Sequence, residues 1–115
     1  MKKLKLNGIC WEKLLGKDLK NKELCNLLQK AEPLKEKVGQ KLLEQNPSKA
    51  ELCCIINYVE SLREKAWHKL LKKGPTNDNL FYIMEFVEPL REEALYGLLE
   101  KNLSKEDSLR ILEYI

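Results

Sequence analysis

The side chains from which metal or nucleophilic chemistry could be assembled in this chain are four cysteines, Cys10, Cys25, Cys53 and Cys54, and a single histidine, His68. A structural zinc site needs spaced ligands, such as a C-x-x-C pair with further donors elsewhere, because four donors must converge on one tetrahedral ion. Cys53 and Cys54 are adjacent, and Cys10 and Cys25 stand apart from them, so the spacing does not make such a site. Nor does the chain carry a glycine-rich phosphate loop, a nucleophile motif or the H-E-x-x-H pattern. The expectation is therefore no enzyme: no catalytic residue, no cofactor and no metal. Met1-Lys2-Lys3 is basic, but Asn7, Gly8, Glu12 and Lys13 interrupt any apolar region behind it, so no signal peptide is expected. Without one, disulfides are not expected either, and a cytoplasmic protein is.

Recognition is better provided for. Tyr58, Phe86 and Tyr114 are spaced 28 residues apart, and so are Tyr82 and Arg110. On a helix, Tyr82 and Phe86 are four apart and share a face, as do Arg110 and Tyr114. These five residues, Tyr58, Tyr82, Phe86, Arg110 and Tyr114, would line up as a ladder if the helices carrying them lay side by side. Aromatics beside arginine have the composition of interface hot spots. The competing reading is that the rings only wedge against neighbouring helices. A second aromatic slot holds Trp11, Trp67 and Leu95, with Gly39 in its remaining copy, where the glycine would leave room for a neighbouring tryptophan. Large residues beside Leu70 and Leu71 fit a core better than a surface.

The 28-residue spacing is a property of the whole chain. Residues 60–87 and 88–115 agree at ten of 28 positions, and 32–59 and 60–87 at eleven, where chance composition gives roughly two. Residues 4–31 form a fourth, weaker copy. A period in this range without strand signals means stacked supersecondary units. One domain of four repeats, 4–31, 32–59, 60–87 and 88–115, is predicted, with no span able to cross a bilayer.

Each repeat holds two apolar stripes. Leu62, Ala66, Trp67, Leu70 and Leu71 mark one face of a first helix, and Leu80, Phe81, Ile83, Met84 and Val87 that of a second. Between them, Asn46-Pro47-Ser48, Gly74-Pro75-Thr76 and Asn102-Leu103-Ser104 each put a residue tolerant of left-handed backbone before a hydroxyl N-cap. Ser48 with Glu51 and Ser104 with Asp107 have capping-box spacing. In the first repeat Lys20 replaces the hydroxyl, and Asn21 is expected to cap instead. Pro33 and Pro89 mark the start of a first helix, reached from the preceding second helix by a tight corner. The fold class predicted is all-α: a right-handed α-solenoid of four helical hairpins, eight short helices in all. Helices this short are marginal alone and need stacking to persist.

Net charge is +3, unevenly spread: Lys2 and Lys3 add +2, and the repeats carry +3, 0, +1 and −3 in order. Complementary ends suggest head-to-tail self-association, against the plainer reading of solvated helix faces. A protein or peptide is the expected partner. Nucleic acid is the alternative, through the basic N-terminal segment and Lys65, Lys69, Lys72 and Lys73, although no basic slot recurs from repeat to repeat as backbone tracking would favour.

The unit resembles the short helix-hairpin repeats of HEAT and tetratricopeptide proteins, over essentially all of the chain. The likeness is one of architecture: 28 residues is shorter than either period, and Trp67 is followed by His68, Lys69, Leu70 and Leu71 instead of the tetratricopeptide W-x-x-L-G-x-x-Y. It implies a scaffold for protein–protein interaction and transfers no site residue.

Overall fold

Three hydroxyl residues one period apart open a helix with nearly identical backbone: Ser48 at φ −69° and ψ 168°, Thr76 at −77° and 167°, Ser104 at −69° and 166°. Each side chain accepts from the N–H three residues on, satisfying a donor that the helix itself leaves free. Glu51 and Asn79 return the bond to the N-cap N–H of Ser48 and Thr76, completing two capping boxes. Only the first of these was legible as a box. Asn79 is shorter than the usual Glu or Gln, yet its Oδ1 reaches Thr76 N at 3.0 Å.

The computed structural model describes residues 19–30 and 34–114. Among them are seven α-helices and no strand: α1 Asn21–Lys30, α2 Lys35–Glu44, α3 Lys49–Tyr58, α4 Arg63–Lys73, α5 Asn77–Phe86, α6 Arg91–Leu99 and α7 Lys105–Leu112. The predicted first helix of repeat 4–31, with Cys10 and Trp11, lies outside the described residues. In that repeat, α1 starts at Asn21, but Asn21 is not its cap. Lys20 holds the cap position, its N–H donating to Glu23 Oε1 at 3.0 Å. The Asn21 amide instead reaches the next repeat, donating to Gln45 O at 3.3 Å and Glu51 Oε1 at 3.1 Å. A short amide in the first turn thus serves the neighbour.

The ends of the first helices show why Gly and Asn were informative at two turns and not at a third. After α4, Gly74 takes φ 80°, the left-handed state that costs glycine least, and its N–H bonds the Leu70 and Leu71 carbonyls. Asn46 takes φ 52° after α2. Asn102 does not follow; α6 stops at Leu99 with Glu100 at φ −79°.

The corner from a second helix into the next first helix is one 3-10 turn, Glu60–Leu62 or Glu88–Leu90, so the α-helix proper starts two residues after Pro89 rather than at it. Val59 and Val87 enter these corners at φ −120° and −122°, ψ 91° and 85°. Arg63 Nε then donates to Ile56 O at 2.8 Å, and Arg91 Nε to Met84 O at 2.7 Å. Each arginine satisfies a carbonyl that its helix end leaves unpaired. The same tertiary bond is made twice, one period apart.

Packing follows from these corners. The closest partnerships are α1 with α2, α3 with α4 and α5 with α6, while α1, α3 and α5 also meet one another in a row. The packing pair is thus a second helix with the first helix that follows the corner, rather than the two helices of one sequence repeat. Leu42, Leu70 and Leu98, three copies of one slot, are all fully buried, as are Ile55 and Ile83 in another. Every buried residue among those described is apolar, and each buried aliphatic side chain contributes about 1.5 to 3 kcal/mol. Gly39 is buried, and a Cβ there would stand 2.9 Å from Leu62 Cδ1 and 3.2 Å from Val59 Cγ2. The corner residues themselves fill the space. The Cα radius of gyration is 16.2 Å, against about 13 Å for a compact domain of this length, so the molecule is elongated.

Candidate functional site

The row formed by α1, α3 and α5 brings the predicted ladder residues onto neighbouring helices. Tyr58, at the end of α3, is half-buried against the core, with Lys35 Nζ 6.0 Å from its ring centroid. Tyr82, in α5, is also half-buried, and its hydroxyl accepts from Asn57 Nδ2 at 2.9 Å. One turn on, Phe86 stacks on Tyr82 with ring centroids 5.0 Å apart and planes tilted by 50°. Phe86 is 59% exposed.

Arg110, in α7, lies across the next gap. Its guanidinium sits 4.2 Å from the centroid of the Phe81 ring and bonds the Glu85 carboxylate, combining cation–π and ionic contact. The hydrogen bond from Arg110 holds the Glu85 carboxyl below its usual range against the opposing effect of partial burial, and the Tyr114 hydroxyl acts in the same direction as Arg110. Tyr114 is 42% exposed. The five predicted residues therefore form a graded surface: Tyr58 and Tyr82 set into the core, Arg110 pinned, Phe86 and Tyr114 presented outward.

Three further residues belong to this surface: Asn57, Glu85 and Phe81. Asn57 and Glu85 share a slot one residue before the aromatic one, so each lies one helical step from a ladder residue. Their polarity was the available signal, since a polar residue recurring beside a half-buried ring has a hydroxyl or guanidinium to serve. Phe81 was legible as core and is core, 1% exposed; its second role as a platform for Arg110 depends on the approach of α7.

Trp67 behaves as the core reading of its slot requires. It is 3% exposed, and its indole N–H donates to Glu93 Oε2 at 2.8 Å. An open cleft of about 300 Å³ lies beside it, bordered by Glu60, Glu64, His68, Leu90 and Glu93. His68 is exposed there, 3.9 Å from Glu64. Among the described residues, no cysteine, serine or threonine borders the cleft.

The cysteines sit together but are chemically quiet. Burial pushes the Cys25 and Cys53 thiols up to about 12, and it raises Cys54 as well. A thiol so placed stays protonated at neutral pH, and the thiolate is the form that attacks or binds metal. All three are free, and among the described residues no group of three or more His, Cys, Asp or Glu side chains is placed to hold a metal ion. Among the same residues no helix is long and apolar enough to cross a membrane. Lys65, Lys69 and Lys72 are exposed along α4, while Lys73 reaches back to Asn46 Oδ1 at 3.4 Å.

No family model matches the chain, and neither does a curated protein or a solved structure. The described helices are compatible with a helical-repeat fold, but no family signature accompanies them.

Proposed function

We propose that the chain is a right-handed α-solenoid of four hairpins that acts as a non-catalytic protein-binding or assembly scaffold, capturing a protein or peptide segment on the Tyr58–Tyr82–Phe86–Arg110–Tyr114 ladder. The observation that supports this reading is Phe86. Its slot holds Tyr58 and Tyr114 in the neighbouring repeats, yet the fold leaves the Phe86 ring 59% exposed. An aromatic ring that the core leaves uncovered is available for a partner. Stacking on Tyr82 limits the ring's freedom before binding, which lowers the entropy lost when a partner arrives. A cytoplasmic setting suits the free cysteines.

The experiment is site-specific photo-crosslinking in the native cell, with the photoreactive residue at position 86 or 114 and, as a control, at exposed position 68. A discrete crosslinked protein at 86 and 114, absent at 68 and lost on competition with unmodified chain, supports the ladder. Equal labelling at all three positions removes it. Phe86→Ala is the informative truncation, because Tyr58 and Tyr82 also serve the core.

The exposed lysines of α4 support the rival class. Residues 65, 69 and 72 lie on one helix face, a short basic stripe of the kind that meets phosphates. If that reading holds, affinity for an oligonucleotide falls steeply with salt and is lost in the triple Lys→Ala variant. Salt-insensitive partner capture favours the ladder.

A further inference from the structure

The last helix exposes residues that the earlier copies bury. Cys53 and Phe81 share the slot of Leu109, and they are 4% and 1% exposed where Leu109 is 54%. Ile56 and Met84 share the slot of Leu112, and they are fully buried where Leu112 is 63% exposed. The inner residues lie on α3 and α5, whose closest partners are α4 and α6, the first helices that follow their corners. On α7, only Ile111 is buried. Phe81 is also covered by Arg110 of the next second helix, so the slots left open on α7 match those that a following repeat covers on α3 and α5.

We propose that the uncovered face of α7 receives the first repeat of a second copy of this chain, residues 4–31, so that copies associate head to tail. That segment carries the apolar spacing of a first helix in Leu6, Trp11, Leu14 and Leu15. Charge selects the pairing. Repeat 4–31 carries +3 with Lys2 and Lys3 adding +2, whereas repeat 88–115 carries −3, with Glu106, Asp107 and Glu113 outnumbering Lys105 and Arg110 on or beside α7. The slot of Arg63 and Arg91 is Asn7 in the first repeat, which keeps a donor where those arginines bond the preceding helix. Tail-to-tail pairing would oppose like charges, so the contact is heterologous and leaves a free head and a free tail on every pair.

The test is sedimentation equilibrium of the intact chain over a range of protein and salt concentrations. The expected result is mass that grows beyond the dimer with concentration and falls as salt is raised. Two end-blocked variants then separate the geometries: Leu112→Asp at the tail, and Lys5→Glu with Lys13→Glu and Lys17→Glu at the head. All four positions avoid the described core, and circular dichroism checks that helicity is retained. Each variant should self-associate roughly tenfold or more weakly than the parent, and an equimolar mixture should form a one-to-one pair that grows no further. A monomeric parent at every concentration overturns the proposal. So does a mixture that stays monomeric, or a head variant that still dimerises alone. Phe86→Ala should leave association unchanged; if it abolishes association, the ladder is the contact and the α7 face is not.

Discussion

Asn57 donates a 2.9 Å hydrogen bond to the Tyr82 hydroxyl, and 28 residues on the same two slots hold Glu85 and Arg110, which form an ion pair. Side chains of different chemistry thus bridge successive second helices at one repeated position. A neutral amide–phenol bond and a charged pair are alternatives there because the geometry is set by the backbone and not by the side chains. Such links contribute about 1 kcal/mol or less each when partly exposed.

The corner arginines should matter more. Arg63→Ala and Arg91→Ala each remove a charged donor from a helix-end carbonyl, and each should cost about 1 to 3 kcal/mol in urea unfolding. The two corners share no hydrogen-bonding partner, so the double variant should lose close to the sum of the single losses. A double loss far from that sum would mean that the repeats are coupled beyond their immediate neighbours.

Two helical glycines should respond differently to alanine. At Gly97 the new methyl would meet only the branched end of one leucine, with Leu80 Cδ1 at 3.3 Å. The gain in helix propensity, about 0.5 to 1 kcal/mol, should prevail. At Gly39 the methyl would stand 2.9 Å from Leu62 and 3.2 Å from the stiff β-branched Val59, and overpacking costs about 1 to 3 kcal/mol. Thermal melts should rank Gly97→Ala above the parent and Gly39→Ala below it. Gly39→Trp, which restores the residue of the next repeat, should fail to fold.

Alkaline pH should weaken the fold through its thiols. Burial raises Cys25 and Cys53 from 9.0 to about 12, so the folded state holds their protons more tightly than the unfolded state does. Their contribution is complete below pH 9 and is lost as pH climbs from there toward 12. The melting temperature should therefore decline as pH rises from 9 toward 12, and the decline should be shallower in a Cys25→Ala, Cys53→Ala variant. Equal slopes would assign the effect to other groups.

Acid should act on the opposite end. Arg110 holds the Glu85 carboxyl below its usual 4.5, so this pair contributes above that pH and fades as pH falls through the lowered value. The effect is under about 1 kcal/mol for so exposed a pair. It should still register in α7, where only Ile111 is buried. Protection factors of the α7 amides should fall on acidification relative to those of α5, and Glu85→Gln should remove that difference.

Periodicity made the helices legible because the apolar slots, the hydroxyl caps and the corner valines are all required by local geometry. Ser48, Thr76 and Ser104 could be placed without any knowledge of what surrounds them. The pairing of helices was less legible. The period can be cut at any phase, and the sequence does not distinguish a hairpin closed at Gly74 from one closed at the Glu60–Leu62 corner. That distinction depends on Arg63 and Gly39, whose roles lie in contacts across the corner. The ladder residues could be named because Tyr82 and Phe86 share a helix face, but their unequal burial depended on where α3 and α7 came to rest. Asn102 shows the limit of analogy. It occupies the slot of Asn46 and Gly74, yet α6 ends before the left-handed residue is needed.

The matched entry angles at Val59 and Val87 make these two joints interchangeable. A genetic cut after Val59, followed by insertion of a further 60–87 cassette, would present each flanking piece with the edge it already recognises. The length of the molecule then becomes a variable that can be set in steps of one cassette, with the termini left as they are.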